Sequence, residues 1–464
     1  MKRIDVLPDD VLLEIFDFYV KIPRHRGKTA TEAWQLLVHV CWRWRSLVLQ
    51  SPRRLNLRLY CTRNTPAKDK LDIWPALPLI VHADRVPTSD TNNIIAALRQ
   101  SNRVCEVNVF LPDRELEDVL AAMQAPFPEL TDLEVGSHSC VPPVIIDSFL
   151  GGSAPRLRHF NLTGVTFPGL LKLLLCAPHL VRLTISHTHH SWFISSEAMV
   201  TLLSALTSLN TLALEFESID SPPTGRGRET PRPPPSKRSV IPALTSFNFT
   251  GDIEYLENLV TFIDTPRLNS FSITFIDEID LQVNTPRLAQ FIISTPKLGA
   301  LDEAHVQFDY GIEYKSSKSD IDSLIIGFAG RKPGLQLSAI EQICTSLHPL
   351  TTVEDLYIEH RYGLHWDNGA IESTVWLELL PPYTVVKNLY LSKEFAPDIA
   401  GALQELIGSR MTTTEVLPSL QNIFVEGLEP SGPFQENIGQ FVAARQLSGH
   451  PIAISLWVSA NHGG

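Results

Sequence analysis

What this 464-residue sequence has little of narrows its function before any motif is read. No stretch approaches the roughly eighteen uninterrupted apolar residues of a membrane helix. The longest candidate, Leu170 to Cys176, is short and holds Lys172, so no membrane partner is expected. Where a secretion signal needs its apolar core, the N-terminus carries Pro8, Asp9 and Asp10, which argues against secretion. Cysteine is sparse: Cys41, Cys61, Cys105, Cys140, Cys176 and Cys344 stand far apart, with no C-x-x-C pair. That spread fits neither a disulfide framework nor a local zinc site, and it predicts a reducing compartment, the cytosol or nucleus. Positive charge is short as well. The 39 Lys and Arg face 51 Asp and Glu, and the net charge of −12 repels phosphate backbones, so no nucleic-acid partner is expected.

Local catalytic signatures are missing too. The chain has no Walker loop, dinucleotide-binding glycine fingerprint, G-x-S-x-G elbow or H-E-x-x-H. Gly225-Arg226-Gly227 lacks the strand and helix that a phosphate site requires. His187, His189 and His190 crowd one stretch, with Glu197 the one carboxylate nearby and no helical spacing between ligands, so a solvated loop is the expectation. Asp277, Glu278 and Asp280, and the pair Asp302 and Glu303, read as solvated turn carboxylates. The expectation is a non-enzyme with no metal and no cofactor. A site assembled from distant residues stays open as a rival.

What is present is a globular composition, 44% apolar and 19% charged, with material for a large core. Residues 6–20 read VLPDDVLLEIFDFYV. Pro8 suits a first helical position, Asp9 and Asp10 favour the dipole of a first turn, and Leu12, Ile15, Phe16 and Tyr19 form one stripe. A second segment, Val38 to Val48, places Val40, Trp44, Leu47 and Val48 on one helical face before Pro52 stops it. Thr31 to Leu37 reads as a further helix after a basic loop with Arg24, His25, Arg26 and Lys28.

Leu7-Pro8-Asp9-Asp10 through Phe16, followed by Leu37-x-x-Val40-Cys41-x-x-Trp44-Arg45, resembles the F-box signature, which opens L-P-x-E/D and ends V-C-x-x-W. Two departures stand out: Asp10 replaces the commoner glutamate, and the stretch from Ile22 to Ala30 lengthens the link after the first helix. The resemblance implies a three-helix module in residues 1–60 that docks on the Skp-type adaptor, and through it on the cullin, of an SCF ubiquitin ligase. It assigns adaptor contact, and the small core beneath it, to Leu7, Pro8, Leu12, Ile15, Phe16, Val40, Trp44 and Leu47.

Residues 61–464 repeat themselves. The spacing L-x-x-L-x-L, with aliphatic or Phe at the marked places, recurs from Val104/Val107/Val109 through Leu130/Leu133/Val135, Leu157/Phe160/Leu162, Leu180/Leu183/Ile185 and Leu209/Leu212/Leu214. It continues at Leu244/Phe247/Phe249, Leu268/Phe271/Ile273, Leu288/Phe291/Ile293, Ile321/Leu324/Ile326, Val353/Leu356/Ile358, Val386/Leu389/Leu391 and Leu420/Ile423/Val425. Alternation at the last two places is a strand signal. Helical stretches precede many units: Glu115–Met123, Leu170–Cys176, Met199–Leu206 and Ile399–Ile407. This resembles the leucine-rich repeat, an α/β solenoid with parallel strands on a concave face and helices outside. The family's Asn or Cys after the strand is absent, so the expected form is irregular. Pro451 to Val458 is expected to supply a closing strand. Pro222 to Ser239, with six prolines and five basic residues, is expected to be a disordered insertion.

In each unit the residue between the final two apolar places points away from the core. In order these are Asn108, Glu134, Asn161, Thr184, Ala213, Asn248, Ser272, Ile292, Ile325, Tyr357, Tyr390 and Phe424. Tyr357, Tyr390 and Phe424, flanked by Asp355, Glu359 and Glu426, are the expected anchors for a basic target protein. Together the two resemblances imply a substrate receptor of an SCF ligase that holds its target without reacting with it; an interaction scaffold without ubiquitination is the alternative.

Overall fold

The computed structural model describes residues 7–21, 33–63, 67–83, 91–137, 142–188, 194–216, 238–276, 285–307, 311–316, 319–328, 352–359, 373–405, 416–427 and 433–457. The chain divides into two compact units, Met1–Phe193 and Ile194–Gly464.

The first unit opens with three helices, α1 (Asp9–Lys21), α2 (Ala33–Val38) and α3 (Trp42–Gln50). Pro8 stands one place ahead of α1, and its carbonyl accepts the Leu12 N–H at 3.1 Å. Asp9 and Asp10 fill the first turn, where their charge meets the positive end of the helix dipole. The expected single helix from Val38 to Val48 is instead divided. α2 ends at Val38, and Cys41 caps α3 by accepting the Trp44 N–H on its sulfur at 3.5 Å. Val40 therefore lies in the turn between helices and not on the face of Trp44 and Leu47. Leu12, Leu13, Phe16, Trp34, Leu37 and Val48 are buried together, and the Phe16 and Trp44 rings meet at 4.7 Å. Trp34 donates its indole N–H to the Arg58 carbonyl at 3.0 Å and meets Trp74 edge-on, which seats the helices on the start of the repeats.

There the chain alternates strand and helix: β1 (Leu59–Thr62), α4 (Ala67–Ile73), β2 (Leu79–Ala83), α5 (Asn92–Leu98), β3 (Val104–Phe110), α6 (Asp113–Ala122), β4 (Asp132–Gly136), β5 (His159–Thr163), α7 (Leu170–Leu175) and β6 (Arg182–Thr188). The six strands pair in sequence order, all parallel. Each strand turns its apolar alternation, such as Leu133 and Val135 or Phe160 and Leu162, into the core under the helices. The turn after β5 needs Gly164. Its φ is +61°, and a Cβ there would lie 2.1 Å from the Ser137 carbonyl oxygen.

The second unit repeats the plan with α8 (Ser196–Ala205), β7 (Thr211–Phe216), β8 (Ser239–Val240), β9 (Ser246–Gly251), α9 (Ile253–Phe262), β10 (Ile263–Asp264), β11 (Ser270–Phe275) and α10 (Pro286–Ser294). β8 and β10 form a small parallel pair of their own. Asp252 caps α9 by accepting the Tyr255 N–H at 2.9 Å. The Glu257 carboxylate, on α9, accepts the N–H groups of Arg287 and Leu288 at the start of α10. After these come β12 (Glu303–Gln307), β13 (Gly311–Ser316), β14 (Ser319–Phe328), β15 (Asp355–Glu359), α11 (Ser373–Leu379), β16 (Asn388–Leu391), α12 (Ala396–Glu405), β17 (Asn422–Glu426), α13 (Pro433–Leu447) and β18 (Ala453–Trp457).

Spatial order departs from sequence order once. The strands run β7-β9-β11-β14-β13-β12-β15-β16-β17-β18, and β13 is antiparallel to both of its neighbours. Every other pairing in the main sheet of this unit is parallel. Segment Leu288/Phe291/Ile293, expected as a strand, is helix α10. Pro286 opens it, and Leu288, Ala289, Phe291 and Ile292 are the buried stripe, a period of 3.6 and not 2. Ile292 is thus core, not an outward residue. The strand in that region is β12, where Ala304 and Val306, with Leu301 just ahead of the strand, are buried at the same spacing. Arg445, on α13, is fully buried and donates to the carbonyls of Leu417, Pro418 and Leu420 in the turn before β17. Its burial lowers the guanidinium pKa. The insertion from Pro222 to Ser239 lies outside the described residues except for Arg238 and Ser239, and Ser239 belongs to β8. His189, His190, Asp277, Glu278, Asp280 and the basic loop around Arg24 also lie outside them, as does the side chain of His187.

Candidate functional site

The residues singled out from sequence fall on two surfaces of different construction. The first is on the three helices. Of the residues assigned to adaptor contact, Leu12 and Phe16 are buried beneath the surface, and Leu7, Trp44 and Leu47 are half-buried. Pro8, Ile15 and Val40 are exposed. α1 carries two apolar stripes, because Val11, Ile15 and Phe18 stand at i, i+4 and i+7 on the side opposite the core. Phe18 is 71% exposed and Trp42 80%, and Leu36 and Val40 are exposed as well. Val11, Phe18, Leu36 and Trp42 were not singled out from sequence; the i, i+4, i+7 spacing on α1 was the available signal. Charges brace the module without covering it. Arg43 bonds Asp9 and the Leu7 carbonyl, both at 2.6 Å, and Arg54 reaches Glu14 at 2.5 Å.

The second surface lies in the second unit, on the strand face turned away from the buried alternation. Parallel register places equivalent residues side by side about one strand spacing, roughly 4.8 Å, apart. His305, Tyr357, Tyr390 and Phe424 occupy one register position on β12, β15, β16 and β17. Their rings stack in a continuous row at 4.3, 4.2 and 4.6 Å, within 10° of parallel. Trp457 of β18 leans over the row at 5.6 Å from Tyr390 and 6.0 Å from Tyr357. All five side chains are half-buried.

A polar row runs two residues earlier. Asn422 donates to Asn388 at 2.8 Å, and Asn388 donates to Asp355 at 2.7 Å. Glu303 pairs with Asp355 in register and lies 3.7 Å from His305. Burial first, then Tyr390 and the carboxylates Glu303 and Asp355, push the Tyr357 phenol pKa above its ordinary value. Burial and Asp355 do the same to Tyr390. Glu426 is half-buried on β17; Glu359 ends β15, and its side chain lies outside the described residues. The repeat spacing picked out Tyr357, Tyr390 and Phe424 of this row but not His305 and Trp457. His305 sits between Ala304 and Val306, a repeat hidden because alanine replaces the middle large residue.

The corresponding face of the first unit is hydrophilic. Glu134 accepts from Asn108 at 2.6 Å and from Asn161 at 2.9 Å, Asp132 pairs with His159, and Arg58 reaches Glu106 at 3.5 Å. Burial, then Asp132, raises the Glu106 pKa. Among the described residues no group of three His, Cys, Asp or Glu could hold a metal ion, and no helix is long and apolar enough to cross a membrane.

The class this architecture defines is an α/β repeat protein of leucine-rich-repeat type, irregular in form, with parallel strands and outer helices. Among solved structures, the chain is similar to the leucine-rich repeat-containing protein LegL7 from Legionella pneumophila. The match is 15% identical over 85% of this chain and 98% of that one, with a TM-score of 0.27. It is also similar to the Rad7 and Elc1 complex in yeast, at 12% identity over 90% of this chain and 89% of that one, with a TM-score of 0.30. The architecture stands on the strand register itself. No family model and no curated protein matches the sequence.

Proposed function

We propose that this chain is the non-catalytic substrate receptor of an SCF-type ubiquitin ligase, acting in the cytosol or nucleus. Its three-helix module docks on a Skp-type adaptor and through it on a cullin, and the repeats hold a target protein. The observation that carries the reading is the second stripe of α1. Val11, Ile15 and Phe18 are exposed although Leu12, Leu13 and Phe16 already complete the core beneath them. Isolated exposed apolar residues are ordinary, but a helical stripe of three, on a module that also exposes Val40 and Trp42, is a surface that a partner would cover. It coincides with the segment that resembles the F-box. The aromatic row, edged by Asp355, Glu303 and Glu426, is the proposed target site, and its carboxylates suit a basic target.

Such a receptor contributes proximity and orientation, not a reactive group. The test is co-purification of the full chain with a Skp-type adaptor and a cullin, followed by ubiquitin transfer. Replacing Ile15 and Phe18 together by Ser should reduce adaptor capture at least tenfold and leave the melting temperature within about 3 °C, since both side chains are exposed. No capture by the parent chain, or undiminished capture by the variant, would overturn the docking assignment. Capture without ubiquitin transfer would instead favour a non-degradative scaffold.

A further inference from the structure

β18 is the last strand of its sheet, and one of its edges has no partner strand among the described residues. It pairs with β17 in parallel through Ala453, whose N–H donates to the Gln421 carbonyl at 2.9 Å. In a parallel ladder alternate residues face the same neighbour, so Ala453, Ser455 and Trp457 spend their N–H and C=O groups on β17. The main-chain groups of Ile454 and Leu456 point to the open edge. Natural sheets protect such edges with charge, proline or a bulge. From Ala453 to Trp457 there is none of these. Nor is the apolar layer closed: Leu456 is 59% exposed, and Leu447, the final residue of α13, is 90% exposed.

We propose that a second copy of this chain covers this edge, β18 pairing antiparallel with its own equivalent about a two-fold axis through Ser455. The strand is its own complement in that register. Ile454 opposes Leu456 of the second copy, and each such pair exchanges both main-chain hydrogen bonds with the groups the open edge leaves unused. Ile454 and Leu456 align with the buried Ile423 and Val425, so their side chains lie on the helix-covered side and cover one another there. Ala453 then opposes Trp457 on the other face, small against large. Ser455 meets Ser455 at the centre in a non-hydrogen-bonded pair, where Cα atoms approach to roughly 4.5 Å. Two chains of net charge −12 repel, so the pairing should strengthen with added salt.

The experiment is sedimentation equilibrium on the full chain, with three variants. The parent mass should rise with concentration from one chain towards two. Ile454→Pro removes the outward N–H together with the side chain of the edge pair, and Leu456→Lys puts charge on the edge; each should weaken self-association at least tenfold. Ser455→Cys should form a covalent dimer under mild oxidation, since a non-hydrogen-bonded pair lies within disulfide reach. The parent protein, with its six native cysteines, sets the background. A parent that stays one chain at all concentrations overturns the proposal. So does a dimer that resists both edge variants, or one whose Ser455→Cys form does not cross-link above background. Should the edge be covered only by a different protein, the parent alone would remain a single chain, which is the first of these results.

Discussion

The polar strand face of the first unit and the aromatic face of the second are each built on a parallel ladder and differ in what that ladder repeats. In the first unit, Asn108, Glu134 and Asn161 share a register position, and the carboxylate is satisfied from both sides. In the second, the equivalent position holds Tyr357, Tyr390 and Phe424, whose faces are consumed by stacking while the side chains stay half-buried. A polar row can complete its hydrogen bonds internally and leave little capacity for a partner. A stacked row remains a rigid apolar strip whose outer rim gains from being covered. The lesson is that parallel register multiplies a single residue choice, and the chemistry of one position decides whether a repeat face is finished or available.

The two faces should differ most in the loss of a residue at the centre of the stack. Tyr390→Ala removes the partner of Tyr357, Phe424 and Trp457 at once and should destabilise the chain by about 2–3 kcal/mol, below a fully buried aromatic because the ring is half-buried. Denaturant titration reads this directly, and a change under ~0.5 kcal/mol would show that the stack is not formed. At the matching position in the first unit, Glu134→Ala loses two amide hydrogen bonds and should cost about 1–2 kcal/mol, with no effect on target capture. Equal loss of capture by both variants would dissolve the distinction between the two faces.

The smallest effect is confined to alkaline pH. Both phenols have folded pKa values above the ordinary 10, so an unfolded chain releases those protons first. Their stabilising contribution is full below pH 10 and is lost as pH rises towards the folded values. Tyr357→Phe with Tyr390→Phe should flatten that part of the stability profile, whereas no variant of the polar face should alter it.

Much of this was legible because strand burial follows a period of 2 and the turns are marked. β3, β4, β5, β6, β7, β9, β11 and β14 to β17 lie where the apolar spacing placed them, the closing strand fell within Pro451 to Val458, and α6 follows Glu115 to Met123 closely. α10 was misread because Leu288, Phe291 and Ile293 satisfy i, i+3, i+5, a spacing that a helix opened by Pro286 also tolerates; the exposed Ile293 and the buried Ile292 settle it. β12 escaped notice through one alanine. β1 and β2 were missed because Leu59 with Cys61, and Leu79 with Val81, lack the large apolar residue three places earlier that defines the repeat spacing. On α1 the sequence showed one stripe where there are two, since burial separates Phe16 from Ile15 and periodicity alone does not.

The antiparallel strand β13 sets how the second unit holds together as a cooperative body. Stacked repeats couple through nearest neighbours, so what each strand feels of a distant one must be relayed along the row. Between β11 and β15 that relay runs backwards through sequence, from β14 to β13 to β12, along two hairpin-type pairings. The chain must leave a gap two strands wide after β11, lay down β12, and return to fill it. The array therefore does not grow past this point one repeat at a time. The aromatic row, which begins at β12, depends for its link to β11 on the segment that closes the gap last in the chain, so folding there is a joining of two arrays and not the extension of one.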